Sequence, residues 1–137
     1  MKRVRQLQPL SNDHHQGLVL AKRAMHAADE GKPAEHVWAE MTLHFSDVLE
    51  PHFQIEEETL AEPLRSAGET ELVERLEREH AQLRAFFRPG QARGYEELKA
   101  FGELLKAHIR FEERELFEAA QEKLSEEQLQ KVEAACR

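Results

Sequence analysis

Four long stretches of the chain repeat apolar residues at helical spacing, and short breaks containing Gly or Pro separate them. The first stripe is Leu10, His14, Leu18, Ala21, Met25 and Ala28. It predicts a helix from an N-cap at Ser11 to about Glu30, stopped by Gly31-Lys32-Pro33. The second is Trp38, Met41, Phe45, Val48, His52, Ile55/Glu56 and Leu60, a helix from about Ala34 to Leu60. Pro51 lies inside it, lacks a backbone donor, and predicts a kink just before His52; Pro63 and Gly68 mark the exit. The third, Leu72/Val73, Leu76, His80, Leu83 and Phe87, spans about Thr70 to Phe87. The fourth, Phe101, Leu104/Leu105, His108, Phe111/Glu112, Leu116 and Ala119, spans about Tyr95 to Lys123. Ser125-Glu126-Glu127-Gln128 has the form of a capping box and opens a short fifth helix. These elements predict an all-α fold: an antiparallel up-down-up-down four-helix bundle with a short C-terminal fifth helix, as one domain over residues 1–137.

The apolar stripes are interrupted at one depth. Each carries a His near its middle: His14, His52, His80 and His108. The second and fourth add Glu56 and Glu112, in segments that repeat each other 56 residues apart: His52-Phe53-Gln54-Ile55-Glu56-Glu57 and His108-Ile109-Arg110-Phe111-Glu112-Glu113. Residues four apart share a helix face, so each copy presents an imidazole and a carboxylate to the same side. Phase separates the neighbours His14 and His15. At about 100° per residue, His14 falls about 20° from Ala21 on the apolar face, whereas His15 falls beside Lys22 and His26 on the polar flank.

Composition narrows the classes of function. Hydrophobic residues make up 40% and charged residues 34%, the balance of amphipathic helices. The net charge of -8 lacks the basic footprint of a nucleic-acid or anionic-membrane binder. No apolar run approaches the ~18–20 residues needed to cross a bilayer. The basic N-terminus, Met1 to Leu10, has no apolar core of a secretory signal, so a cytoplasmic location is expected. The single Cys136 excludes an internal disulfide and a Cys-based metal site.

One His on an apolar face is commonly a hydrogen-bonded core residue, and one Glu there a boundary residue reaching water. That reading would have to hold for four His and two Glu at once. Burying an unpaired carboxylate costs several kcal/mol or more, on the order of the stability of a whole domain, and no Lys or Arg on these stripes neutralises Glu56 or Glu112. Two divalent cations would. Imidazole and carboxylate donors without thiolate suit Fe or Mn, whereas Zn usually takes four ligands. A ferritin-like plan needs Glu-x-x-His on two helices, and only Glu77-Arg78-Glu79-His80 matches. There is no His-Glu-x-x-His, phosphate loop or Ser/His/Asp set. Glu57 and Glu113 fall about 140° from their His partners and are expected to be solvated, or at most to lie outside the ligands. His26 and His36 are expected at the surface, His44 on a flank, and Tyr95 in packing at a helix start.

The chain resembles the hemerythrin-like, or HHE cation-binding, family. The matching segments are Asp13-His14-His15, Pro51-His52-Phe53-Gln54-Ile55-Glu56-Glu57, Glu79-His80-Ala81-Gln82-Leu83 and His108-Ile109-Arg110-Phe111-Glu112-Glu113, between about Leu10 and Leu124. The resemblance implies a bundle holding two non-haem iron ions under an oxo or hydroxo bridge. His14, His52, His80 and His108 would be terminal ligands, and Glu56 and Glu112 would bridge. The sequence departs from the oxygen carriers of the family. They place a further His four residues after the third-helix His, where this chain has Arg84. They bridge with an Asp five residues after the fourth-helix His, where Glu112 here sits at four. It is similar to the four-His, two-Glu branch, which includes iron-centre repair proteins. One more coordination position is then open than in the carriers. Arg84 is expected to reach solvent or to sit beside that opening and steer anions.

The expected function is binding or reduction of O2, peroxide or nitric oxide by a small di-iron protein. Two rivals are an iron or oxygen sensor that signals through a protein partner, with the fifth helix and Cys136 as the responsive surface, and iron storage or delivery for repair of iron centres. No nucleic-acid or membrane partner is expected.

Overall fold

A computed structural model describes residues 2–136; Met1, the first residue of the basic N-terminal stretch, lies outside it. Among the described residues the chain is helical and without strand. The elements are α1 (Gln8–Met25), α2 (Ala34–His44), α3 (Glu50–Thr59), α4 (Ala61–Ser66), α5 (Thr70–Ala85), α6 (Tyr95–Phe111), α7 (Phe117–Lys123) and α8 (Glu126–Ala135). A 3-10 turn (Arg5–Leu7) precedes α1. π-helical turns join α2 to α3 (Phe45–Leu49) and α6 to α7 (Glu112–Leu116), so each of these pairs forms one continuous rod.

Side-chain pairing gives the topology. Arg23 meets Glu40 and Asp13 meets His52, so α1 runs against α2–α3. Glu57 meets His80 and Glu50 meets Arg84, so α3 runs against α5. Glu79 meets His108 and Arg75 meets Glu115, so α5 runs against α6–α7. His14 stacks on Phe117 while a Cβ on Gly17 would meet Ile109, so α7–α6 returns along α1. The result is the expected up-down-up-down bundle. The seam between α1 and α6 is closest at Gly102, where a Cβ would stand 2.5 Å from the Ala21 carbonyl oxygen.

Several details differ from the sequence reading. α1 begins at Gln8 with Pro9 in its first turn, so Ser11 is not an N-cap; its hydroxyl is used elsewhere. α1 ends at Met25, and a looser turn runs to Gly31, whose φ of 67° lets Lys32 N–H return to the Ala27 carbonyl. The buried residues of α1 are Leu10, His14, Gly17, Leu20, Ala21 and Ala24, continued by Ala27 in the turn, whereas Leu18 and Ala28 are exposed. Before Pro51 the rod does not simply kink. The π turn widens by one residue, Glu50 N–H bonds Phe45 O, and Leu49 rather than Val48 enters the core. α4 contains Pro63 at its third residue, where a helix has no use for the N–H, so the exit predicted there is a short extra helix. Ser125 caps α8 as expected, exchanging bonds of 3.1 and 2.9 Å with Gln128.

The core has two apolar halves. One gathers Leu7, Leu10, Leu60, Leu64, Leu76, Leu116 and Phe117 and is closed by Leu129 and Val132 of α8. The other gathers Ala21, Trp38, Met41, Phe53, Leu83, Phe101 and Leu105. On all four rods, the His and Glu of interest fall between residues of the first half and residues of the second. The bundle thus holds a polar layer between two apolar plugs.

Candidate metal centre

All six sequence-predicted residues meet in that layer. Glu56 and Glu112 are fully buried at 0% exposure, and His14, His52, His80 and His108 are buried around them. Each imidazole turns Nε2 inward. His14 Nε2 lies 2.6 Å from Glu112 Oε1, and His52 Nε2 lies 3.0 Å from Glu56 Oε2 and 3.3 Å from Glu112 Oε1. On the other side, His80 Nε2 lies 3.1 Å from Glu56 Oε1 and 3.6 Å from Glu112 Oε2, and His108 Nε2 lies 2.9 Å from Glu112 Oε2. The six form two four-residue groups, His14/His52/Glu56/Glu112 and Glu56/His80/His108/Glu112. Within each group, one donor atom per residue lies within 4.8 Å of the others. The two carboxylates belong to both groups. His15 is exposed on the other face of α1, as its phase predicts.

The Nδ1 atoms point outward, and each finds a carboxylate. His14 donates to Glu113 (2.6 Å), His52 to Asp13 (3.0 Å), His80 to Glu57 (2.7 Å) and His108 to Glu79 (2.7 Å). The pairs close a ring round the bundle: α1 supports α3, α3 supports α5, α5 supports α6, and the π turn after α6 supports α1. A carboxylate behind an imidazole fixes its tautomer and orientation and raises its basicity toward a metal. Aromatic faces hold two of the rings: Phe117 stacks on His14 at 5.4 Å and Phe53 on His80 at 4.0 Å.

Glu57 and Glu113 are therefore not simply solvated; they are half-buried and form half of this ring. Each sits one residue beyond its inner Glu, which turns it to the outer side of the same helix turn. Arg84 neither hangs in solvent nor faces an opening. Its Nε donates to Glu50 and its Nη1 and Nη2 to Glu57, at 2.8 and 3.1 Å, with its head over the Phe53 ring. Asp13 and Glu79 were legible only as residues of the family segments. The signal that could have found them is an acid immediately before a His on helices one and three. His26 and His36 are exposed as expected. His44 is buried rather than flanking, at 7% exposure. Tyr95 starts α6 as expected but is exposed rather than packed, its hydroxyl donating to Lys32 O at 2.6 Å.

Electrostatics tie the cluster together. Burial alone would lower every imidazole, but hydrogen bonds to Glu112 and Glu113 carry His14 up to about 9. Burial is likewise overcome at His80, where Glu112, Glu56 and Glu57 bring it to about 10. His52 rises against burial through the charge of Glu56 and the bond to Asp13, and His108 through Glu112 and Glu79. Burial would raise Glu112, yet His108, His14 and His52 hold it well below the usual carboxylate range. The layer demands positive charge, and imidazolium protons or metal cations satisfy the same demand.

Cations fit better than protons. Both oxygens of Glu56, Oε2 of Glu112, and Nε2 of His80 and of His108 are buried without a hydrogen-bond partner, although they approach one another. Buried polar atoms of this kind are costly unless something else engages them. Four imidazole nitrogens and two carboxylates, each ring backed by a carboxylate, form a donor set suited to a pair of first-row divalent metals.

Comparison with known proteins agrees with this chemistry. A family model described as the hemerythrin HHE cation binding domain matches residues 7–120, a span that contains every inner and outer residue of the layer. No curated protein and no solved structure gives a significant match.

Proposed function

We infer that this chain, which belongs to the hemerythrin HHE cation-binding domain family, holds two iron ions and uses them to bind or reduce O2, peroxide or nitric oxide. The observation that carries this reading is the pair of fully buried carboxylates shared by two His pairs, with both oxygens of Glu56 and Oε2 of Glu112 engaged by no hydrogen bond. His14 and His52 would hold one iron and His80 and His108 the other, with Glu56 and Glu112 spanning both. A reduced pair of irons would supply two electrons to a small ligand.

The chain's own residues set the conditions for that chemistry. The outer carboxylates keep each Nδ1 protonated and each Nε2 directed inward. The apolar plugs above and below exclude bulk water, which favours small, uncharged ligands over ions. Arg84 acts as a positioning residue: it fixes Glu57, and Glu57 fixes His80. No fifth imidazole is offered at its position, which supports a more open centre than that of a dedicated oxygen carrier.

Anaerobic addition of O2 or nitric oxide to the reduced, iron-loaded protein tests the reading. A change in the visible absorption spectrum is expected with at least one of them. No change with either would contradict ligand binding.

A further inference from the structure

The ring of outer carboxylates is not evenly supported. Arg84 grips Glu57, Arg75 Nε donates to Glu79 at 2.9 Å, and Ser11 and Arg3 donate to Glu113 at 2.8 and 3.1 Å. These partners are themselves anchored: Arg75 over the Phe111 ring at 4.2 Å, and Arg3 on Gln121 at 2.9 Å. Asp13 is the exception. Among the described residues it pairs with His52 alone, and its side chain is 42% exposed.

The asymmetry is written in the two halves of the chain. Asp13-His14 corresponds to Glu79-His80, and the segment His52 to Glu57 corresponds to His108 to Glu113. α5 places Arg75 four residues before Glu79 and Arg84 four residues after His80. α1 places Pro9 and Leu18 at the corresponding positions. Neither can clamp a carboxylate.

The weak arm lies on the side of the bundle where α1 runs against α2–α3. Between α1 and α2 runs a groove of about 320 Å³, lined among others by Gln16, Leu20, Arg23, His44 and Asp47. His44 lies on the same rod as His52, and both its ring nitrogens are buried without a partner. Burial lowers its basicity, while the charges of Asp13 and Asp47 act on it in the opposite sense.

We propose that the two metal positions are unequal: the ion between His14 and His52 exchanges readily through the α1–α2 face, while the ion between His80 and His108 is retained. The proposal rests on the two-metal reading above. An imidazole whose supporting carboxylate is solvated and unclamped reorients more easily, and loss of such support commonly weakens metal binding about 10- to 100-fold. The labile position is where an ion would be delivered or collected, and where a half-loaded protein would be vacant.

The test follows metal content over time after a chelator is added in excess to the fully loaded protein. Two phases of one ion each are expected, separated at least about tenfold in rate. Asp13→Asn should accelerate the fast phase and leave the slow one unchanged. Arg75→Met, at a part-exposed surface position, should accelerate the slow phase alone. Release of both ions in a single phase, or acceleration of the slow phase by Asp13→Asn, would overturn the proposal. Helix content by circular dichroism confirms that each variant is folded. A protein that saturates below two ions would instead contradict the two-metal reading, so the two failures are distinct.

Discussion

Glu56 and Glu112 differ from the other acidic residues of this chain in having nowhere else to send their charge. Both are at 0% exposure, no Lys or Arg reaches them, and each faces imidazoles of both His pairs. Removing either should therefore affect both metal positions at once. Glu56→Ala or Glu112→Ala is expected to reduce bound metal from about two ions per chain to nearly none, read as metal content. His15→Ala, on the exposed face of α1, is expected to leave the content unchanged. Retention of one ion in either Glu variant would show that the carboxylates are not shared. At this scale the inner residues were legible because helical phase fixes which side chains share a face. His14 could be separated from His15 on phase alone. The outer carboxylates were less legible, because each supports a His on a different helix. That Asp13 supports His52, or that Arg84 clamps Glu57, depends on which rods become neighbours, and spacing along one helix does not contain it.

The rods owe their alignment to small residues and to local changes of helix type. A Cβ on Gly17 would stand 2.9 Å from Ile109 Cδ1, and one on Gly102 would meet the Ala21 carbonyl. The second is the harder contact, because a backbone oxygen cannot rotate away. Gly102→Ala gains helix propensity of about 1 kcal/mol, but the clash should outweigh it, for a net loss of about 1–3 kcal/mol in urea unfolding. An unchanged or increased stability would contradict so close a seam. The π turns are the other device. The first absorbs the donor missing at Pro51 and re-phases His52, and the second begins at Glu112 itself and carries Glu113 round to His14. Pro51 signalled the first as a kink. Nothing comparable marks the second, since Glu112–Leu116 contains neither Pro nor Gly. Helix ends were also blurred: Ser11 resembled a cap but serves Glu113, and Pro63 resembled a stop but opens α4.

For the whole molecule, the bundle is a device for burying a layer of charge between two apolar halves. No helix among the described residues is long and apolar enough to cross a membrane, and the net charge is -8. Up-down-up-down topology was legible because four apolar stripes with short connections leave few other ways to close a core. The uneven support of the outer carboxylates, Arg75 and Arg84 against Pro9 and Leu18, could be read from the sequence only once the structure showed which carboxylate backs which imidazole. Metal content with an absorption spectrum, on protein produced without added metal, tests most directly whether this layer holds two irons. About two irons per chain, with an oxygen-to-iron charge-transfer band, is the predicted result. One zinc per chain, or no metal, would contradict it.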